Sequence, residues 1–243
     1  MSTAAALQEA LSRGAVVVGA LALGVRGLAG WRRMALAFAL GASASAALPP
    51  LHAVPLLVVA FTGLVWLIEG ARTGRGAFAA GWWFGFGHFV TGLYWIAFAL
   101  LTDPERFAWM IPFAVFGLSA GFALYVALAT LLVWRVRARG IAAALWLAVA
   151  WTAAEWLRGR LFTGFPWNLI GTVWAESEAM MQAGAWVGVL GLSLISVAAT
   201  ALPASLGGPG LGEAGLGAPG SRLARRWAGV LGAVCLVGVV WSA

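Results

Sequence analysis

Lysine is absent from this 243-residue chain: all fifteen basic residues are arginine. That excludes Schiff-base chemistry and lysine-assisted nucleophiles within it. Cysteine is nearly absent too. The one example, Cys235, lies inside the apolar run Val230–Val237, so an intrachain disulfide and a thiolate metal site are both ruled out. Desolvation in hydrocarbon would raise the thiol pKa and make it a poor nucleophile; a small packing or lipid-facing residue is expected there. Charge is scarce, at 9% of residues against 63% hydrophobic. A soluble domain carries about 25% charged residues, so this composition is that of an integral membrane protein.

The few charges are informative by their placement. A net charge of +7 suggests nucleic acid only if it forms a contiguous basic face. Here the arginines fall in short clusters between apolar runs, as in the loops of a bilayer protein, so no nucleic-acid partner is expected. At about 20 residues per crossing, the pattern predicts an all-α fold, a polytopic transmembrane helical bundle of about seven spans. These are Arg33–Leu48, Val54–Ile68, Ala77–Leu101, Phe107–Val136, Ile141–Leu157, Met180–Leu202 and Arg226–Ser242. Residues 1–31 are expected to be a cytoplasmic or interfacial lead-in, because the apolar run Gly14–Val25 is too short to cross. Residues 32–243 form the transmembrane domain. With the N-terminus inside, twelve arginines fall on the cytoplasmic side and only Arg106, Arg158 and Arg160 outside, a strong positive-inside bias. The stretch 203–221 holds seven glycines and three prolines in nineteen residues, which predicts a flexible cytoplasmic loop. Tryptophans near span ends (Trp31, Trp66, Trp109, Trp134, Trp227, Trp241) suit the headgroup level. Three small-xxx-small pairs, Gly81/Gly85, Gly117/Gly121 and Gly184/Gly188, predict close helix contacts.

One segment concentrates chemistry: Glu155-Trp156-Leu157-Arg158-Gly159-Arg160-Leu161-Phe162-Thr163-Gly164-Phe165-Pro166-Trp167-Asn168. Helical spacing puts Trp151, Glu155 and Arg158 on one face. A carboxylate near the membrane end is costly unless paired, and Arg158 is its natural partner. Two readings stand side by side: a structural ion pair that pins the outer loop, or an Arg158 or Arg160 guanidinium holding a lipid phosphate. Gly164 and Pro166 predict a rigid turn that sets Phe165 and Trp167 at the interface. In the third span His88 shares a face with Gly81, Gly85, Gly92 and Trp95, so a buried, hydrogen-bonded histidine is expected, with a proton relay as the alternative. Tyr94 and Trp95 are secondary candidates. Glu69 and Arg72 suggest a cytoplasmic interfacial pair, while Glu176 and Glu178 are expected to be solvated. No nucleophile–base set, phosphate loop or metal-ligand spacing is present, so no cofactor and no metal is expected.

The chain resembles the N-terminal membrane domain of bacterial apolipoprotein N-acyltransferases over residues 32–243. The resemblance rests on Ala46-Ala47-Leu48-Pro49-Pro50, on Gly81-Trp82-Trp83-Phe84-Gly85-Phe86-Gly87-His88 with Gly92-Leu93-Tyr94-Trp95-Ile96, and above all on Glu155–Gly159 with Thr163–Asn168. It implies a bacterial inner-membrane, multi-pass protein with a cytoplasmic N-terminus. Its partners would be a phospholipid acyl donor and a diacylglyceryl lipoprotein. In that family a nitrilase-like periplasmic domain with a Glu-Lys-Cys triad carries out the transfer. The resemblance therefore implies that these residues, ending at Ala243, are a fragment, a truncated product or half of a split enzyme, inactive alone. A small-molecule transporter is the alternative, weakened by the lack of an inverted repeat.

Overall fold

The computed structural model describes residues 3–207. Among these every regular element is helical, with no strand: α1 (Thr3–Gly27), α2 (Gly30–Ser45), α3 (Leu56–Glu69), α4 (Gly74–Gly92), α5 (Ile96–Leu100), α6 (Pro104–Phe107), α7 (Leu118–Arg135), α8 (Ile141–Arg158) and α9 (Glu178–Ala201). Shorter 3-10 turns lie at Ala108–Met110, Ile170–Trp174 and Leu202–Gly207, and a π-helical turn at Phe113–Gly117. Two stretches, Pro104–Arg135 and Glu178–Gly207, are long and apolar enough to cross a bilayer. The expected span Arg226–Ser242, with Cys235, Trp227 and Trp241, residues 208–221 of the expected loop and the arginines at 222, 225 and 226 lie outside the described residues.

The bundle is organised around α4, and glycine is the reason. On one side α4 meets α2 where a Cβ on Gly41 would collide with the Phe84 carbonyl, and one on Gly87 with that of Phe38. On the other side it meets α7: a Cβ on Gly85 would lie 2.8 Å from the Ala123 Cα, and one on Gly81 2.9 Å from the Ala127 Cα. Without a hydrophobic force between helices in lipid, such backbone approach supplies the packing energy. The Gly81/Gly85 pair thus packs as its spacing predicts. Gly117 and Gly121 do not, having no neighbour close to where a Cβ would sit. Gly188 is a kink instead, with φ +69° inside α9, a backbone angle that glycine adopts without strain.

Several expected boundaries are corrected. The third span is not one helix: α4 stops at Gly92, where the Asn168 amide occupies the space of a Cβ, and α5 restarts after Trp95. The fourth breaks into α6, two irregular turns and α7. The lead-in is a continuous helix from Thr3, whose last turns pack on α3 and Leu202–Gly207, with Ala22 fully buried. Pro203–Gly207 is part of that buried turn rather than a free loop. The segment between α8 and α9 re-enters the bundle: Ile170, Gly171, Val173 and Trp174 are buried against α9. Irregular backbone at such depth is tolerated where protein covers it, and two α9 serines do so. The Ser193 hydroxyl accepts from the Gly171 N–H (2.8 Å), and Ser196 Oγ accepts from Trp174 Nε1 (2.7 Å). Nor do all tryptophans near helix ends sit at the surface: Trp66 is buried and donates to the Ala204 carbonyl at 3.0 Å.

The helix ends sort into two groups. At one end Arg26 bridges Glu69 and the Gly207 carbonyl, and Glu69 also accepts from the Gly140 N–H at 2.7 Å. The expected Glu69–Arg72 pair does not form; Arg72 is exposed. At the other end His52 meets Glu176 at 3.0 Å and Trp95 packs on Trp167 at 5.5 Å, so Glu176 has a partner in place of solvent alone.

Candidate functional site

The last two turns of α8 build the site. Trp151 and Glu155 stack one turn apart, and Trp151 Nε1 donates to Glu155 Oε1 at 2.9 Å. The same oxygen accepts the Ile170 backbone N–H at 2.8 Å. Glu155 is 4% exposed, and its second oxygen meets no partner among the described residues. A buried carboxylate needs such donors to offset lost hydration.

Arg158 does not pair with Glu155. Its Nη1 donates to the carbonyls of Phe165 and Trp167, both at 2.6 Å, and it is 3% exposed. Phe89 and Phe122 flank the guanidinium at 5.0 and 5.8 Å, and Phe122 stacks on Phe165 at 4.6 Å. The Phe165 N–H returns a bond to the Arg158 carbonyl at 2.8 Å. Residues 159–167 are therefore a closed loop strapped to the helix end that launches it. The turn needs Gly164: its φ is +75°, and a Cβ there would lie 2.6 Å from the Gly159 carbonyl oxygen. Arg158 lies at the helix C-terminus, where the chain turns away. A fork of N–H donors there satisfies carbonyls that no helix bond can reach. This is the physical reason that the expected ion pair gives way.

The other candidates scatter around this strap. Arg160 is exposed, with its guanidinium 4.4 Å over the Trp156 ring. Pro166 and Trp167 are exposed, the latter against Trp95. Tyr94 is exposed beside Phe98 at 5.9 Å. Asn168 turns inward with φ +55°, its amide nitrogen against Gly92 and without a hydrogen-bond partner among the described residues. His88 is fully buried, 5.9 Å from the Trp151 ring, but neither ring nitrogen has a partner among the described residues. The histidine is buried as expected, among aromatic rings, with the Gly41 and Asn168 backbone as the hydrogen-bonding groups that face it. Trp95 lies beyond the end of α4, so it shares no helix face with His88.

Sequence reasoning missed the α9 serines and Arg33. Ser193, Ser196 and Thr200 stand at i, i+3 and i+7 on the apolar second half of α9, all buried; that polar stripe was a usable signal. Arg33 is buried in α2 and donates to the Leu67 carbonyl, and nothing in its double-arginine setting marked it. No group of His, Cys, Asp and Glu fit for a metal occurs among the described residues. The arrangement is a stiff aromatic platform on a buried polar base, at one end of a helical membrane domain.

Comparison with known proteins agrees with that class. Residues 40–202 match the sequence profile described as "Apolipoprotein N-acyltransferase N-terminal domain", and the chain belongs to this family. It is similar to the apolipoprotein N-acyltransferase of Rhodopseudomonas palustris, 42% identical over 223 residues, covering 86% of this chain and 39% of that protein. It is 44% identical over 199 residues to that of Brucella suis, covering 78% and 37%. The chain thus spans under two fifths of the length of these curated relatives. The transporter alternative finds no support among these matches.

Proposed function

We propose that this chain is the membrane domain of an apolipoprotein N-acyltransferase, the enzyme that moves a fatty acyl group from a phospholipid to the amino-terminal diacylglyceryl-cysteine of lipoproteins. One observation carries the reading: in a chain of this family, Arg158 straps the Phe165–Trp167 turn over a buried polar base and presents aromatic residues at that end. These 243 residues hold no lysine, so the Glu-Lys-Cys transfer chemistry of the family belongs to residues outside them. The domain's part is to admit the acyl donor laterally and to seat the catalytic domain on the platform. Residues 32–243 form the transmembrane unit of about seven spans in the bacterial inner membrane, preceded by the segment 1–31. The arginine distribution supports a cytoplasmic N-terminus with the Gly159–Asn168 loop outside. Arg160, Pro166 and Trp167, with Trp95 and Tyr94, are the exposed residues placed to meet lipid or the catalytic domain; Glu155, Arg158, Phe165, Asn168 and His88 hold them in position.

A chimera tests this. Residues 1–243 replace the matching N-terminal part of the Rhodopseudomonas palustris relative, in cells depleted of their own enzyme. Mass spectrometry of a lipoprotein N-terminus should find the amine acylated. A chimera that inserts at normal levels and leaves the amine free would overturn the reading.

A further inference from the structure

The two ends of α4 differ in what lies beside them, and the end far from the Arg158 strap holds an unassigned site. There the start of α4 and the end of α7 line a groove of about 720 Å³, formed by Gly74, Arg75, Phe78, Leu131, Trp134 and Arg135. Its two cations come from different helices and are both exposed. Neither meets a carboxylate among the described residues, since Glu69, the acid at this end, is bonded to Arg26 and to the Gly140 N–H. Below them the wall is apolar and fixed: Trp134 Nε1 donates to the Ala71 carbonyl at 2.9 Å, which leaves its ring no freedom to fill the space. Gly74 sets the width, because a Cβ there would come within 3.1 Å of Trp134 and 3.2 Å of Leu131. The Thr73 hydroxyl caps the Gly76 N–H at 3.1 Å and starts α4 at the groove's mouth.

We infer that this groove binds one anionic phospholipid, its phosphate between Arg75 and Arg135 and an acyl chain along Phe78 and Leu131. Charge complementarity names the occupant. Either lipid class brings one phosphate charge to the two cations, but a zwitterionic headgroup also sets its own cation beside them, which a net negative headgroup does not. A phosphate alone would leave the apolar wall facing water. Basic pockets between membrane helices bind anionic headgroups in this way, and a guanidinium fork bonds phosphate oxygens two at a time. The site rests on the chain's being a membrane domain. It does not depend on acyl transfer, and it lies at the opposite end from the strap.

The test uses the purified chain in phosphatidylcholine nanodiscs with and without phosphatidylglycerol, with retained lipid counted by native mass spectrometry. Wild type should keep one phosphatidylglycerol in preference to phosphatidylcholine. Arg75→Gln with Arg135→Gln should lower that retention by about tenfold. Gly74→Val, which narrows the groove and leaves both charges, should lower it as well and guards against a charge variant that fails to fold. Arg139→Gln, at the same end but outside the groove, should change nothing. Equal retention in wild type and the double variant would overturn the site, as would an Arg139→Gln loss of the same size. Displacement by inorganic phosphate alone would overturn the lipid assignment. Because no transfer is measured, failure here leaves the acyltransferase reading untouched, and failure of the chimera leaves this one standing.

Discussion

Glu69 and Glu155 stand in the same local pattern at opposite ends of the bundle. Each closes an apolar helix and each is followed three residues later by an arginine. In neither case does that arginine become the partner. Glu69 takes Arg26 from another helix and the Gly140 N–H that opens α8; Glu155 takes Trp151 and the Ile170 N–H that opens the buried turn. An i,i+3 pair is worth a few tenths of a kcal/mol on an exposed helix. A buried carboxylate does better by accepting from several donors, and the backbone N–H at the start of the next element is one that needs an acceptor. The arginines then diverge: Arg72 is left in solvent, while Arg158 is buried and serves the loop.

That contrast is easiest to break at Arg158. Arg158→Gln loses two charge-assisted bonds to partly buried carbonyls from a buried side chain and should cost about 2–3 kcal/mol, seen as lost folded yield and a lower unfolding midpoint in detergent. Arg72→Gln should leave both unchanged. Next comes packing: Gly41→Ala forces α2 off α4 and should cost about 1–3 kcal/mol, whereas Gly117→Ala, in open space, should be neutral or stabilising; unfolding midpoints decide. Arg26→Gln removes a partly buried partner of Glu69 and should destabilise by about 1–2 kcal/mol, with Glu69→Gln, which keeps an acceptor for Gly140, costing less. Smallest is His52→Ala at the loop pair, at about 0.5 kcal/mol or below, since the Glu176 side chain is 68% exposed.

What the sequence disclosed follows from the same physics. The cores of α3, α8 and α9 were legible because uninterrupted apolar runs fix them, and the 151/155/158 face followed from helical period. The break after Gly92 was hidden, because aromatic and aliphatic residues continue through it and a tertiary contact, Asn168 at Gly92, accompanies the end of the helix, whereas Pro112 was a local signal for the irregular turns before α7. The buried turn at Ile170–Trp174 was hidden for the converse reason: its glycine and threonine suggest a loop, and its depth depends on serines on another helix. Glycine spacing proposed three contacts, but which of them another backbone fills is a property of the assembled bundle.

The central claim is that Arg158 is an internal strap for the loop that leads into the Ile170–Trp174 turn. Ile170, fully buried, reports on this directly. In a Cys235→Ser background, Ile170→Cys should resist an impermeant thiol reagent in intact spheroplasts. Adding Arg158→Gln should make it react, while adding Arg72→Gln should not. Continued protection in the Arg158→Gln protein, folded and at normal yield, would contradict the account and release Arg158 for a role at the lipid.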